Sequence, residues 1–405
     1  MPIKTVASDL DFSEMHERIQ HYVDEGIIPF ANSLVLKGND VVDLHFYGNM
    51  DRETDRPLTE DAIFRMHSST KLVCSVGAMM LYEEGRFSLD DPLEKYLPEF
   101  ADMQVLKADA EDISDTEPAK GPILIRHILS HTAGFSYGFI EPDSVIDKAY
   151  NENGINPMAP GSGMTLASLC EVLGDLPLVY EPGTFWRYSF ATDVTARLIE
   201  VLSGQPFDDY LKARILGPLG MVDTDFFVPP EKLDRFTTMY LPADPLDPMS
   251  PCAMPMDAPE TTANGEKPSF LSGGGGLMST LTDFLAFTRM IIGNGTVGET
   301  QIIKPETLAL MRTNQCAPGV HVNFPMWSMP GTTFGLGFAL EEQPADGEPD
   351  TAVGEFHWGG MAGTHFWWSP EAGITGICMT QRMPGFWHAF SHDFKRLAYN
   401  TAANK

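Results

Sequence analysis

A helix that is apolar on nearly every side can exist only at the centre of a sizeable fold, and the run from Ser68 to Glu84 reads as such a helix. Leu72, Val73, Cys74, Val76, Ala78, Met79, Met80 and Leu81 leave no polar stripe for solvent. Gly85 supplies the stop signal. The surroundings must therefore bury this helix from all directions. A chain of 405 residues, 43% of them hydrophobic, has the material for that. Its length also predicts two lobes rather than one small domain.

Flanking patterns say where the layers come from. Residues 12–25 read as an amphipathic helix with Met15, Ile19, Tyr22 and Val23 on one face. Two β-rich runs follow, Ser33–Leu36 and Val41–Tyr47, with Gly38-Asn39 as a hairpin turn. Helical signals dominate from the central helix to about residue 235, including a stripe of Val194, Leu198, Val201 and Leu202 that stops at Gly204. The acidic stretch 101–120 reads as a surface excursion. The proline-rich stretch 241–269 reads as a long loop of the kind that walls a pocket. A β-type region is expected from Ser272, then a helix Asp283–Ile292. Three short β runs follow, at Glu355–Trp358, Thr364–Trp368 and Ile374–Thr380, and a last helix over 387–402. Of the adjacent Trp367 and Trp368, alternation predicts one in the core and one at the surface. The expected fold class is α/β: an antiparallel sheet lobe built from both chain ends, residues 1–67 and 268–405, with a mostly helical lobe, residues 68–267, inserted between them and the site at their interface.

The start of the central helix carries the chemistry. Phe64-Arg65-Met66-His67-Ser68-Ser69-Thr70-Lys71 contains Ser-x-x-Lys. Residues three apart share a helix face, so Lys71 reaches the Ser68 hydroxyl. A lysine in so apolar a setting is partly desolvated, which lowers its pKa and frees it to take a proton. The helix N-terminus adds unpaired amides suited to an oxyanion. Read without context, the same residues are a helix cap followed by a solvated lysine.

Four motifs in order remove that ambiguity. After Ser68–Lys71 come Leu129-Ser130-His131-Thr132-Ala133-Gly134, then Trp186-Arg187-Tyr188-Ser189, then the glycine run of Ser272–Leu277, and last His357-Trp358-Gly359-Gly360. Together, over residues 12–400, they resemble the penicillin-recognising serine hydrolases, and among these the class C β-lactamase-like carboxylesterases of family VIII. The resemblance implies Ser68 as nucleophile, Lys71 as its activating partner and Tyr188 as the phenolic proton relay. It implies an oxyanion hole from the amides of Ser68 and Met361, with Gly360 the alternative. It places Trp358, Gly359, Gly360, Tyr137 and Phe190 around the substrate.

Two departures bear on the substrate. β-Lactamases carry Asn two residues after the tyrosine, where this chain has Phe190. They carry Lys-Thr-Gly where this chain has Trp358-Gly359-Gly360. The groups that would meet a lactam's amide and carboxylate are thus replaced by apolar ones, which suits a neutral ester. The expected function is a carboxylesterase acting on small to medium esters through an acyl-Ser68 intermediate. The alternatives are a β-lactamase, D-alanyl peptidase or acyltransferase on the same fold, or a covalent acyl sensor that does not turn over.

Other signals are weaker. Gly134-Phe135-Ser136-Tyr137-Gly138 matches the nucleophile elbow of α/β-hydrolases, but a helix end precedes it where a strand is needed. Gly273–Gly276 lacks the Gly-Lys-Ser/Thr of a phosphate loop; its glycines read as a close backbone approach to the site. His67, His131 and His357 read as structural. Five dispersed cysteines argue against a disulfide framework and a zinc cluster, and the expected acyl-serine mechanism calls for no metal or cofactor. A net charge of −29 argues against nucleic acid and anionic membranes as partners. No apolar leader opens the chain, and the expectation is a cytoplasmic protein. Oligomeric state is not legible.

Overall fold

A computed structural model describes residues 2–156, 162–325, 327–345, 347–385 and 389–403. Helix α1 spans Ser13–Asp24 and buries Met15, Ile19 and Tyr22. Strands β1 (Phe30–Lys37) and β2 (Asp40–Asp51) form the expected hairpin, with Lys37 paired to Asp40 across Gly38-Asn39. Short strands β3 (Arg56–Pro57) and β4 (Ile63–Arg65) lead to the central helix α2, Thr70–Glu83. This helix is buried from Thr70 through Leu81, and Gly85 beyond it takes a left-handed φ of 69°.

The helical middle of the chain includes α3, Ala191–Ser203, which packs against α2 and ends at the left-handed Gly204. Val194, Leu198 and Leu202 face inward, but Val201 is exposed. It lies three residues past Leu198, on the solvent edge of the stripe. The expected long loop contains a two-stranded ribbon, β5 (Met239–Pro242) with β6 (Cys252–Asp257). Its prolines and two register shifts hide the strand pattern, and exposed Ala253–Met256 give no alternation. The glycine run is a turn, and β7 begins only at Met278, running to Thr280 beside β4. Helix α4 follows, Leu281–Ile292.

The chain then returns to the sheet with β8 (Thr332–Phe334), β9 (Ala339–Glu341), β10 (Phe356–Gly360), β11 (Thr364–Ser369) and β12 (Ile374–Met379). Helix α5, Ala389–Ala403, closes it; the first two residues expected for it, 387 and 388, lie outside the described residues. The sheet runs β8-β9-β10-β11-β12-β1-β2-β3 and every pairing is antiparallel, so β1 from the N-terminus sits beside β12 from the C-terminus.

Both faces of this sheet are covered. Ala31, Val35, Tyr47, Trp367 and Cys378 pack with α1 and α5. Leu34, Leu36, Phe366, Trp368 and Ile377 join the core around α2. Trp367 and Trp368 therefore point to opposite faces and are both buried, at 3% and 2% exposure. The expectation of one surface tryptophan fails because a helical layer lies where solvent was assumed. Among the described residues no helix is long and apolar enough to cross a membrane.

Candidate active site

The site begins where β4 turns into α2. A 3-10 turn, His67–Ser69, precedes the α-helix, so Ser68 stands just ahead of it and Lys71 is its second residue. In a 3-10 turn side chains i and i+3 eclipse. Lys71 Nζ accordingly lies 3.3 Å from Ser68 Oγ. His67 holds a φ of +44°, in the left-handed region that a residue with a Cβ adopts only when its surroundings force it. Every residue from 62 to 81 is buried except Ser68. The strained turn thus presents a single hydroxyl to the space outside the core.

Lys71 is 1% exposed and bonds two further acceptors, Tyr137 OH at 2.9 Å and the Gly274 carbonyl at 2.7 Å. Burial pushes its pKa down to about 7, against the opposing pull of the Asp193 carboxylate. Each buried Leu, Val or Met of α2 stabilises the fold by about 1.5–3 kcal/mol, which together offsets one desolvated lysine. Tyr188 is also buried, and burial raises its phenol above the ordinary value. Its hydroxyl accepts from Trp358 Nε1 at 3.2 Å, and it lines the same cavity as Ser68. Its ring lies 4.5 Å from Lys71 Nζ. The structure therefore brings Ser68, Lys71 and Tyr188 into one cluster.

A cavity of about 840 Å³ opens over this cluster. Ser68, Tyr137, Tyr188, Phe190 and Met361 line it, with Phe139, Leu246, Met256 and Phe324 extending its apolar wall. Neither the Ser68 nor the Met361 amide donates to a protein acceptor among the described residues. Gly360 does not reach the cavity: a Cβ there would collide with the Met66 carbonyl and Thr364 Oγ1, so strand β10 lies directly against the turn that carries Ser68. Two more of the expected wall residues are displaced. Trp358 is 2% exposed and stands behind Tyr188, among Trp186, Phe334 and Phe324. Gly359 alternates with it and turns to the other side of the sheet, where a Cβ would strike the His365 ring.

The glycine run approaches the site closely. A Cβ on Gly273 would lie 2.7 Å from the Thr192 carbonyl and 2.9 Å from Cys74 Sγ. One on Gly274 would lie 2.6 Å from Asp193 Oδ2 and 2.7 Å from Tyr137 OH. Ser136 of the elbow-like motif is fully buried; its hydroxyl donates to Asp147 and accepts from Arg187 Nε at 2.9 Å. This network ties the Tyr137 loop to the segment of Tyr188. Burial lowers the His67 pKa to about 4 and that of His131 well below its ordinary value, so both rings are neutral. His357 faces away from the cavity beside Glu341, at 3.6 Å. With Glu355 these form, among the described residues, one trio of metal-type ligand atoms within 4.8 Å of one another; Lys395 Nζ already lies 2.9 Å from Glu355 Oε1.

Sequence reasoning missed Asp193, the Gly274 carbonyl and Phe139, whereas Leu246 and Met256 come from the 241–269 stretch expected to wall a pocket. An aspartate five residues after Tyr188 was visible, but an acidic residue in a first helical turn ordinarily serves its own helix end.

Fold and site together define a β-lactamase-fold serine hydrolase. The chain belongs to the Beta-lactamase family, whose family model matches residues 15–400. It is 33% identical over 375 residues to Protein Rv1367c of Mycobacterium tuberculosis (strain ATCC 25618 / H37Rv), covering 90% of this chain and 89% of that one. It is 29% identical over 390 residues to Esterase EstB of Burkholderia gladioli, covering 92% of each. Among solved structures it is similar to EstCE1, a hydrolase with promiscuous acyltransferase activity. The TM-score is 0.79 at 25% identity, covering 96% of this chain and 98% of that one.

Proposed function

We propose that the protein is a family VIII-type carboxylesterase that hydrolyses neutral, largely apolar esters through an acyl-Ser68 intermediate. The observation that carries this reading is the Ser68–Lys71 contact of 3.3 Å on the floor of an apolar cavity. With its pKa near 7, Lys71 is substantially neutral at physiological pH and accepts the Ser68 proton as the oxygen attacks the carbonyl carbon. The amides of Ser68 and Met361 receive the oxyanion. Tyr188 stays a phenol because burial opposes its ionisation, so it donates its proton to the departing alkoxide and recovers one from Lys71. Water then attacks the acyl-enzyme by the reverse relay, releasing the acid and restoring Ser68.

Substrate choice follows from the walls. No Lys or Arg lines the cavity among the described residues, and Asp193 is its single carboxylate. A ligand carboxylate, such as that of a β-lactam, finds no counter-charge there. The test is steady-state turnover of p-nitrophenyl butyrate against nitrocefin. The ester is expected to be the better substrate; equal kcat/KM for the two would sink the assignment. A volume of about 840 Å³ exceeds what a short ester fills, and Phe139, Leu246 and Met256 at the rim are roughly half exposed or more, at 49%, 72% and 50%. They fit a longer apolar acyl or alcohol group. Met256→Asp is expected to cut kcat/KM about tenfold for an octanoate ester, with the loss shrinking steadily toward acetate. A loss independent of chain length would show that Met256 does not touch the substrate.

A second reading is acyl transfer to an alcohol. Apolar walls disfavour water near the acyl-enzyme, and EstCE1 is described as having such an activity. Transfer would show as added alcohol raising nitrophenol release without raising acid release.

A further inference from the structure

The Lys71 ammonium has three donors and three acceptors: Ser68 Oγ, Tyr137 OH and the Gly274 carbonyl. The two hydroxyls can reverse their hydrogen bonds and donate to a neutral lysine; a carbonyl can only accept. The Gly274 carbonyl therefore keeps one Lys71 N–H turned away from Ser68 in either protonation state, which leaves the lone pair for a hydroxyl. What holds that carbonyl is Asp193. Its Oδ1 accepts from Ser272 Oγ at 2.6 Å and from the Gly274 amide at 3.0 Å, while Oδ2 packs so close to Gly274 that no Cβ fits between them. The carboxylate is 1% exposed and lies in the first turn of α3, five residues past Tyr188. An aspartate that only capped its helix would not bond two donors of a distant loop.

We propose that Asp193 is a positioning residue for Lys71: its carboxylate anchors the Ser272–Gly275 turn so that the Gly274 carbonyl orients the lysine, and its negative charge faces the lysine across that turn. The other titratable groups around Lys71 are Cys74 on its own helix, Tyr137 and His131 on the 131–138 segment, Tyr188 before α3, and His67 on the preceding turn. Burial raises the thiol and both phenols and lowers both imidazoles, so all are neutral near pH 7. Among the described residues Asp193 is then the main charge acting on Lys71, and it acts to raise the lysine pKa against desolvation. Desolvation also raises Asp193 itself, while Ser272, the Gly274 amide and Lys71 oppose this.

The inference rests on Ser68 being the nucleophile, so its test uses Ser68 directly and needs no ester turnover. The second-order rate of Ser68 phosphonylation by a fluorophosphonate probe is measured against pH, with the labelled residue located by mass spectrometry. Asp193→Asn keeps the size and one acceptor oxygen but removes the charge. Labelling rises with pH as Lys71 loses its proton, and a less stabilised ammonium loses it sooner. The rising limb is expected to move to lower pH by about one unit or more, with a lower plateau because the base is weaker. A purely structural aspartate would lower the rate without moving the limb, and an unmoved limb in folded Asp193→Asn overturns the proposal. Should that variant not fold, Ser272→Ala removes one donor and leaves the charge. Labelling is then expected to slow about fivefold, and the wild-type rate overturns the proposal. Wild-type protein left unlabelled at Ser68 would fail the nucleophile reading itself, an outcome separate from these.

Discussion

Ser68→Ala is expected to lower kcat/KM for p-nitrophenyl butyrate by about 10³–10⁶-fold. The size of the loss follows from what remains. The proposed oxyanion amides of residues 68 and 361 and the cavity would still receive the ester, but neither nearby serine could replace the nucleophile: the neighbouring Ser69 is fully buried and bonded to Thr364, and Ser136 is fully buried between Asp147 and Arg187. The fold should be untouched, because Ser68 is the one residue of the 62–81 run that is not buried. The check is steady-state kinetics together with intact mass after a fluorophosphonate probe. Retained turnover, or a label found on Ser136, would falsify the assignment of the nucleophile.

Lys71→Met should separate activity from stability. Activity is expected to fall about 10²–10⁴-fold, the usual contribution of a general base, and the wild-type pH profile should rise through a limb near 7. Stability also changes with pH. The Lys71 pKa is about 7 in the fold against 10.5 for an ordinary lysine. Between those values the unfolded chain carries the proton and the folded protein does not, so wild-type stability rises with pH across that window. The cost of burying the lysine is full below pH 7 and fades toward 10.5. Methionine has no such cost. The difference in unfolding free energy between Lys71→Met and wild type should therefore be most favourable to the variant at pH 7 and shrink by roughly 3–5 kcal/mol toward pH 10.5. Denaturant unfolding at several pH values measures it. A difference that does not vary with pH would mean that Lys71 is not desolvated, and the argument for it as a neutral base would fail with it.

What could be read along the chain was local. The Ser68–Lys71 pair is set by a spacing of three on one turn, and its geometry survives even though the turn is 3-10 rather than α. The all-apolar α2, the β1–β2 hairpin and the three C-terminal strands are likewise periodicities of neighbouring residues. The errors came where periodicity is masked or where its meaning depends on an unseen layer. The β5–β6 ribbon is full of proline, and Trp367 is buried by α1 and α5, helices from opposite ends of the chain.

The sequence by itself determined that a serine and a lysine share one face at the mouth of a buried helix, and that apolar residues stand where a lactamase keeps Asn and Lys. Only the tertiary structure decided what the lysine is chemically. Its acceptors Tyr137 and Gly274 lie 66 and 203 residues away, and Trp358 reaches Tyr188 across 170. Proton affinity depends on the loss of water and on charges within a few ångströms. Those are properties of which segments fold together, and no spacing along the chain encodes them.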